Sequence, residues 1–277
     1  MNARDFISAR AMAMAHRLGP VVRPLVATSD GRHCLAGSCV LVRLGSEVFL
    51  FTAAHVLDEP SLLLGLQARF VRLEGEAIKS MPPADKGRED DSADVGIVRL
   101  ASGLHGALGD TQVLSSAELD VDDRATPELP TQHYLVIGFP GSRATFNVAR
   151  RLARFEGFVL TTTSVKPEVY QRLGFPEHAH VVLAFDQRSA KSPDGRSISP
   201  KLSGVSGGGI LNLGDSSDTT HTTPRLAAIA AEWHQGATKA IVGTRVSLHC
   251  EVLRQHRPDL AALLPQATRI HIKHGSA

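Results

Sequence analysis

The chain has 277 residues with 30 basic and 28 acidic side chains, a formal net charge of +2, so no chain-wide field favours nucleic acid or an anionic membrane as a partner. At 43% hydrophobic residues, with 24 glycines and 15 prolines, the composition suits a soluble, turn-rich protein with an ample core and excludes a disordered or fibrous one. Three cysteines, Cys34, Cys39 and Cys250, are too few for a disulfide framework and lack metal-ligand spacing. Residues 3–18 place Phe6, Ile7, Ala11, Met14 and Ala15 at helical spacing and stop before Gly19-Pro20, which predicts an amphipathic helix. Its apolar face either packs on the body of the protein, the plainer reading, or docks a partner. Arg4, Asp5, Arg10, His16 and Arg17 interrupt the apolar run a signal peptide needs, and no stretch approaches the roughly 20 apolar residues of a spanning helix. The expected location is the cytoplasm, with reduced thiols.

From Gly37 the texture changes to short strands, expected at 38–43, 47–51 and 69–73, with a helical turn after His55. Residues 81–91 are rich in proline and charge and read as a surface loop ahead of the apolar strand 95–100. A polar stretch at 115–132 looks like a connection between two halves. Strand texture resumes at 134–139, 146–160 and 180–185, and the loop 186–200 follows. Further strands are expected at 210–213, 225–233 and 239–246, and helical periodicity returns at 247–263. The expected division is 1–30 for the helix and lead-in, 31–120 and 121–246 for the two halves, and 247–277 for a C-terminal helix and tail. No short-period internal repeat is present.

Three segments carry one chemistry: Thr52-Ala53-Ala54-His55, Ser92-Ala93-Asp94-Val95-Gly96-Ile97, and Ser203-Gly204-Val205-Ser206-Gly207-Gly208-Gly209. A hydroxyl is a poor nucleophile at neutral pH, so acyl transfer needs an imidazole to take its proton and a carboxylate to hold that imidazole. The glycines around Ser206 suit a tight loop whose backbone amides face a developing oxyanion. Asp90 and Asp91 are nearby alternatives to Asp94, but only Asp94 directly precedes the apolar strand.

These blocks, in this order, resemble those of the chymotrypsin-like serine proteases. The resemblance implies an all-β fold of two six-stranded barrels, with N- and C-terminal helices added here. The first barrel would supply His55 and Asp94, the second Ser206, and the cleft between them would hold a peptide. His55 would act as general base and acid, Asp94 would orient it, Ser206 would attack, and the amides of Gly204 and Ser206 would form the oxyanion hole. No cofactor or metal is implied.

Val205 departs from the secreted, activatable members, which carry an aspartate there to pair with a released amino terminus. In this it resembles activation-independent members, among them bacterial HtrA-type and viral proteases. The loop is then either ordered by its own packing or ordered by a partner or substrate. The resemblance puts Pro200 at the base of the primary specificity pocket and Ala231, Glu232, Trp233, Ile241 and Gly243 along its walls. Pro200 offers no carboxylate for a basic side chain, and Trp233 with Ile241 would leave a shallow apolar pocket for a small or modest apolar residue. An inward-facing Glu232 would reverse that preference. The expected partners are a protein or peptide substrate and an activating or docking protein, with neither nucleic acid nor membrane.

Two alternatives share these residues: a catalytically silent binding module of protease fold, and an esterase. The Gly-x-Ser-x-Gly elbow of α/β-hydrolases is matched at Gly204–Gly208 only superficially, since that fold places its histidine last. The histidines at 133, 178, 180, 221, 234, 249, 271 and 274 lack metal-ligand spacing and read as surface or core residues. Cys34 and Cys39 read as thiols rather than a loop disulfide. The basic cluster Arg143, Arg150, Arg151 and Arg154 reads as the solvated face of a hairpin.

Overall fold

The computed structural model describes residues 3–29, 31–66, 69–109, 112–121, 132–147, 152–186, 190, 192, 201–215, 224–265 and 274–276. Helix α1 (Ala3–Leu18) leads into strands β1 (Val22–Ser29), β2 (Arg32–Leu44) and β3 (Glu47–Ala53), and a 3-10 turn (Ala54–Asp58) follows. Next come β4 (Leu63–Leu66), β5 (Arg69–Arg72), β6 (Gly75–Ser80), β7 (Val95–Leu100), α2 (Ser102–Leu108) and β8 (Leu114–Ser115). The second half holds β9 (Gln132–Gly138), β10 (Ala144–Asn147), β11 (Leu152–Phe155), β12 (Phe158–Thr163), α3 (Pro167–Leu173) and β13 (His180–Ala184). Strands β14 (Gly209–Asp215), β15 (Arg225–His234) and β16 (Ala240–Arg245), helix α4 (Val246–His256), a 3-10 turn (Pro258–Leu263) and β17 (His274–Ser276) complete it.

Two curled antiparallel sheets form the body. The second has six strands in the order β12-β9-β14-β15-β16-β13, and its edges meet at the Ser164–Leu183 bridge. The first has nine, β17-β6-β7-β3-β2-β1-β4-β5 with the two-residue β8 beside β2 as its parallel exception. The short β8 and the tail strand β17, neither read from the sequence, are among its strands. The expected strand at 146–160 divides into β11 and β12 on either side of Glu156-Gly157, and β10 with β11 makes a separate hairpin.

The predicted N-terminal helix forms over its expected span. Ile7, Ala11, Met14 and Leu18 make one buried stripe against β9, β12 and β14, so the apolar face is spent on the second barrel. The expected C-terminal helix stops at His256 because Pro258 lacks an amide hydrogen and disfavours a helical Arg257. Helix α4 lies across the end of the barrels against β7, β15 and β16. All of β3 except Glu47 is buried; on its α4 side the His249 ring stacks on Phe51 at 5.2 Å and Nε2–H donates to the Thr52 carbonyl at 3.0 Å.

Candidate active site

Pairing of β3 with β7 sets Ala53 opposite Val95, which brings His55 and Asp94 together across 39 residues of sequence. The Ala54 amide donates to the Asp94 carbonyl at 3.0 Å, and the His55 amide donates to Asp94 Oδ1 at 2.9 Å. The second carboxylate oxygen accepts from His55 Nδ1 at 2.7 Å. One side chain thus fixes both the backbone and the ring of His55 and leaves Nε2 as the basic nitrogen. Asp94 holds this pose at φ +42°, a left-handed conformation that aspartate tolerates better than most residues. Burial alone would lower the His55 pKa. The hydrogen bond and charge of Asp94, with the charges of Asp58 and Glu232, outweigh it, and the pKa is raised.

The loop before Asp94 is built from charge. Asp91 is buried, and its carboxylate accepts from Ser80 Oγ and from Arg88, both at 2.6 Å. Ser80 Oγ in turn accepts the Val95 amide at 2.8 Å, and Arg88 reaches Asp58 Oδ2 at 2.8 Å. Asp91 therefore secures the loop, while Asp90 lies at the surface 3.5 Å from Lys86; neither is the partner of His55. From the second barrel, Thr244 Oγ1 donates to the Ala93 carbonyl at 2.8 Å and His180 Nε2 donates to the Ser92 carbonyl at 2.7 Å. His180 is buried, and burial pushes its pKa down.

The Ser206 loop is built from neutral hydrogen bonds. Val205 donates to the Leu202 carbonyl at 2.9 Å, Gly208 to the Val205 carbonyl at 2.8 Å, and Gly207 to the Ala230 carbonyl at 2.6 Å. The amides of Gly204 and Ser206, between them, donate to no described group. Val205 is 3% exposed and packs with Leu202 in the second barrel's core. Gly207 has φ +85°, and a Cβ there would lie 1.8 Å from the Ser38 carbonyl oxygen. Ser206 Oγ donates to the Ala231 carbonyl at 3.0 Å rather than to His55.

Among the expected pocket residues, Pro200 lies outside the described residues. Trp233 and Ile241 are cross-strand partners. Ile241 is buried in the second core, and Trp233 packs against that core and meets Phe185 edge-on at 5.9 Å. Ala231 is buried, whereas the Glu232 side chain is 47% exposed and comes within 3.2 Å of His234. A Cβ on Gly243 would point to Ile210 and Ala228, inside the barrel. A depression of 480 Å³ lies nearby, lined by Leu160, Ala184, Phe185, Asp186 and Lys239 among others; none of His55, Asp94 and Ser206 lines it. Cys34, Cys39 and Cys250 are all thiols. Ser38, His180 as a clamp and Thr244 carry no local sequence signal because their partners are distant in sequence, and Ser80 and Arg88 bond Asp91 within a stretch whose charge reads as solvated surface.

No protein-family model matches the sequence, and no curated protein does. Solved structures do. The serine endoprotease from Yersinia pestis is similar at 14% identity, over 91% of this chain and 67% of that one, with a TM-score of 0.51. Mouse neuropsin, a serine protease, is similar at 17% identity over 86% and 94% of the two chains, with a TM-score of 0.50. An inactivated protease paralogue of the scabies mite is similar at 14% identity over 87% and 96%, with a TM-score of 0.54. At such identities the likeness carries the fold, and the chain is a double β-barrel of the chymotrypsin type.

Proposed function

We propose that the chain is a serine endopeptidase that works through His55, Asp94 and Ser206 and needs no released amino terminus. The observation that carries this reading is the conjunction of an oriented His55–Asp94 pair with a loop in which the Gly204 and Ser206 amides donate to no described group. Ser206 Oγ turns from the Ala231 carbonyl to His55 Nε2 and attacks the peptide carbonyl as the proton passes to Nε2. The oxyanion lies against the two amides, each worth about 3 to 4 kcal/mol of barrier. Collapse expels the amine, which takes the proton from His55, and water then hydrolyses the acyl-enzyme by the same relay. The proposed preference for a small apolar side chain before the scissile bond rests on the resemblance, which sets Trp233 and its cross-strand neighbour Ile241 at the primary pocket.

In the described structure Ser206 Oγ is held by a hydrogen bond to the Ala231 carbonyl. A neutral bond of this kind is worth about 1 kcal/mol, small enough for substrate or an activating partner to displace. That bond is also what a silent binding scaffold would show. Cleavage of a peptide library by purified protein, lost in Ser206→Ala, supports the endopeptidase; hydrolysis of simple esters without peptides would reduce the reading to an esterase. No turnover and no serine labelling would leave the binding module.

A further inference from the structure

Ser38, at the middle of β2 in the first barrel, is fully buried and uses every polar atom it has. Its Oγ donates to the Gly204 carbonyl at 2.9 Å and accepts the Phe139 amide at 2.9 Å. Its amide donates to the Ser206 carbonyl at 2.7 Å, and its carbonyl accepts Thr52 Oγ1 at 2.8 Å. A peptide unit is planar, so tying its carbonyl also aims its N–H. The peptide carrying the Gly204 amide is tied at the Ser203 carbonyl by Gly141, and the one carrying the Ser206 amide is tied at the Val205 carbonyl by Gly208. Ser38 holds the two peptides that alternate with these, through the Gly204 and Ser206 carbonyls. Rotation of either donor peptide must drag a peptide that Ser38 grips.

We infer that Ser38 is the positioning residue of the oxyanion hole, a side chain of the first barrel that sets the aim of two amides in the second. This deepens the endopeptidase reading and depends on it for its catalytic meaning. Through Thr52, three residues before His55, the same residue also refers the nucleophile loop to the strand that leads into the base. Removing the hydroxyl strands the Gly204 carbonyl in a buried site, and the loop relieves this by turning the peptide, which misaims the donors.

The test uses the full chain as wild type, Ser38→Ala and Ser38→Thr, the last keeping the hydroxyl, with Ser38→Cys as an isosteric weak donor should alanine prevent folding. Hydrogen exchange is read residue by residue, and a fluorophosphonate reports the nucleophile. In Ser38→Ala the Val205, Gly207 and Gly208 amides should exchange at least about tenfold faster while β14 to β16 keep wild-type protection, and threonine should restore the loop. Labelling should slow by about tenfold to a hundredfold, less than loss of a donor itself, with its pH midpoint unmoved because His55 is untouched. Loop exchange equal to wild type, or equal acceleration throughout β14 to β16, overturns the inference. If wild type is not labelled while the loop responds, the endopeptidase reading falls and the clamp stands. If wild type and Ser38→Ala label at one rate, the clamp falls and that reading stands.

Discussion

The acid loop at residues 91–95 and the nucleophile loop at 203–208 solve the same problem with different chemistry. Each is held partly by the opposite barrel: His180 and Thr244 reach back to the carbonyls of Ser92 and Ala93, and Ser38 reaches across to those of Gly204 and Ser206. Within its own barrel the acid loop is organised by ionised groups, Asp91 between Ser80 and Arg88, and Arg88 with Lys79 on Asp58. The nucleophile loop contains no charge and relies on glycine, backbone hydrogen bonds and the buried Val205. A loop that must present a carboxylate to an imidazole tolerates, and uses, a charged surround. A loop proposed to offer amides to a transient anion is held without charge, its carbonyls turned to other partners.

The contrast can be broken first at Gly207. An alanine there meets both the Ser38 carbonyl and an unfavourable φ, and Gly207→Ala should lose roughly 3 kcal/mol or more of stability together with phosphonate labelling, as urea unfolding and labelling gels would show. Acidification comes next. Burial pushes the His249 pKa down to about 4, below the ordinary value of about 6.5, so the unfolded chain binds the extra proton first and stability falls as pH drops through that window by roughly 3 kcal/mol. His180, lowered in the same direction, adds to this loss. Urea midpoints at pH 7 and 5 should differ less in His249→Gln than in wild type.

Asp91→Asn tests the charged loop. It removes the buried charge that Arg88 pairs with and should cost about 2 kcal/mol, with labelling slowed but not abolished and the slowing relieved little by salt. The smallest effect belongs to Asp58, which is partly exposed and already paired with Lys79 and Arg88. Asp58→Asn should lower the pH midpoint of labelling, by much less than Asp94→Asn does, and the difference should shrink in high salt.

The three residues proposed to react stand out in the sequence because each sits beside a local pattern: His55 after an apolar strand, Asp94 before one, Ser206 among glycines. The α1 stripe was legible for the same reason, as helical spacing shows which face must be covered. Asp91 was misread because its charged neighbours resemble a solvated run, and only the fold reveals that Ser80 and Arg88 bury it. Ser38, His180 and Thr244 act on residues 166, 88 and 151 positions away, so nothing local announces them. Helix α3 was missed although Pro167 stands at its first turn, a favoured place for proline.

His55, Asp94 and Ser206 are proposed to form one working unit. The most direct test of that proposal is the rate of fluorophosphonate labelling of wild type and Ser206→Ala between about pH 5 and 9, a range spanning histidine titration. The raised His55 pKa keeps the ring protonated to higher pH, so labelling should require Ser206 and fall away as pH drops through a midpoint above about 6.5. Labelling that persists in Ser206→Ala, or that ignores pH across this range, would contradict it.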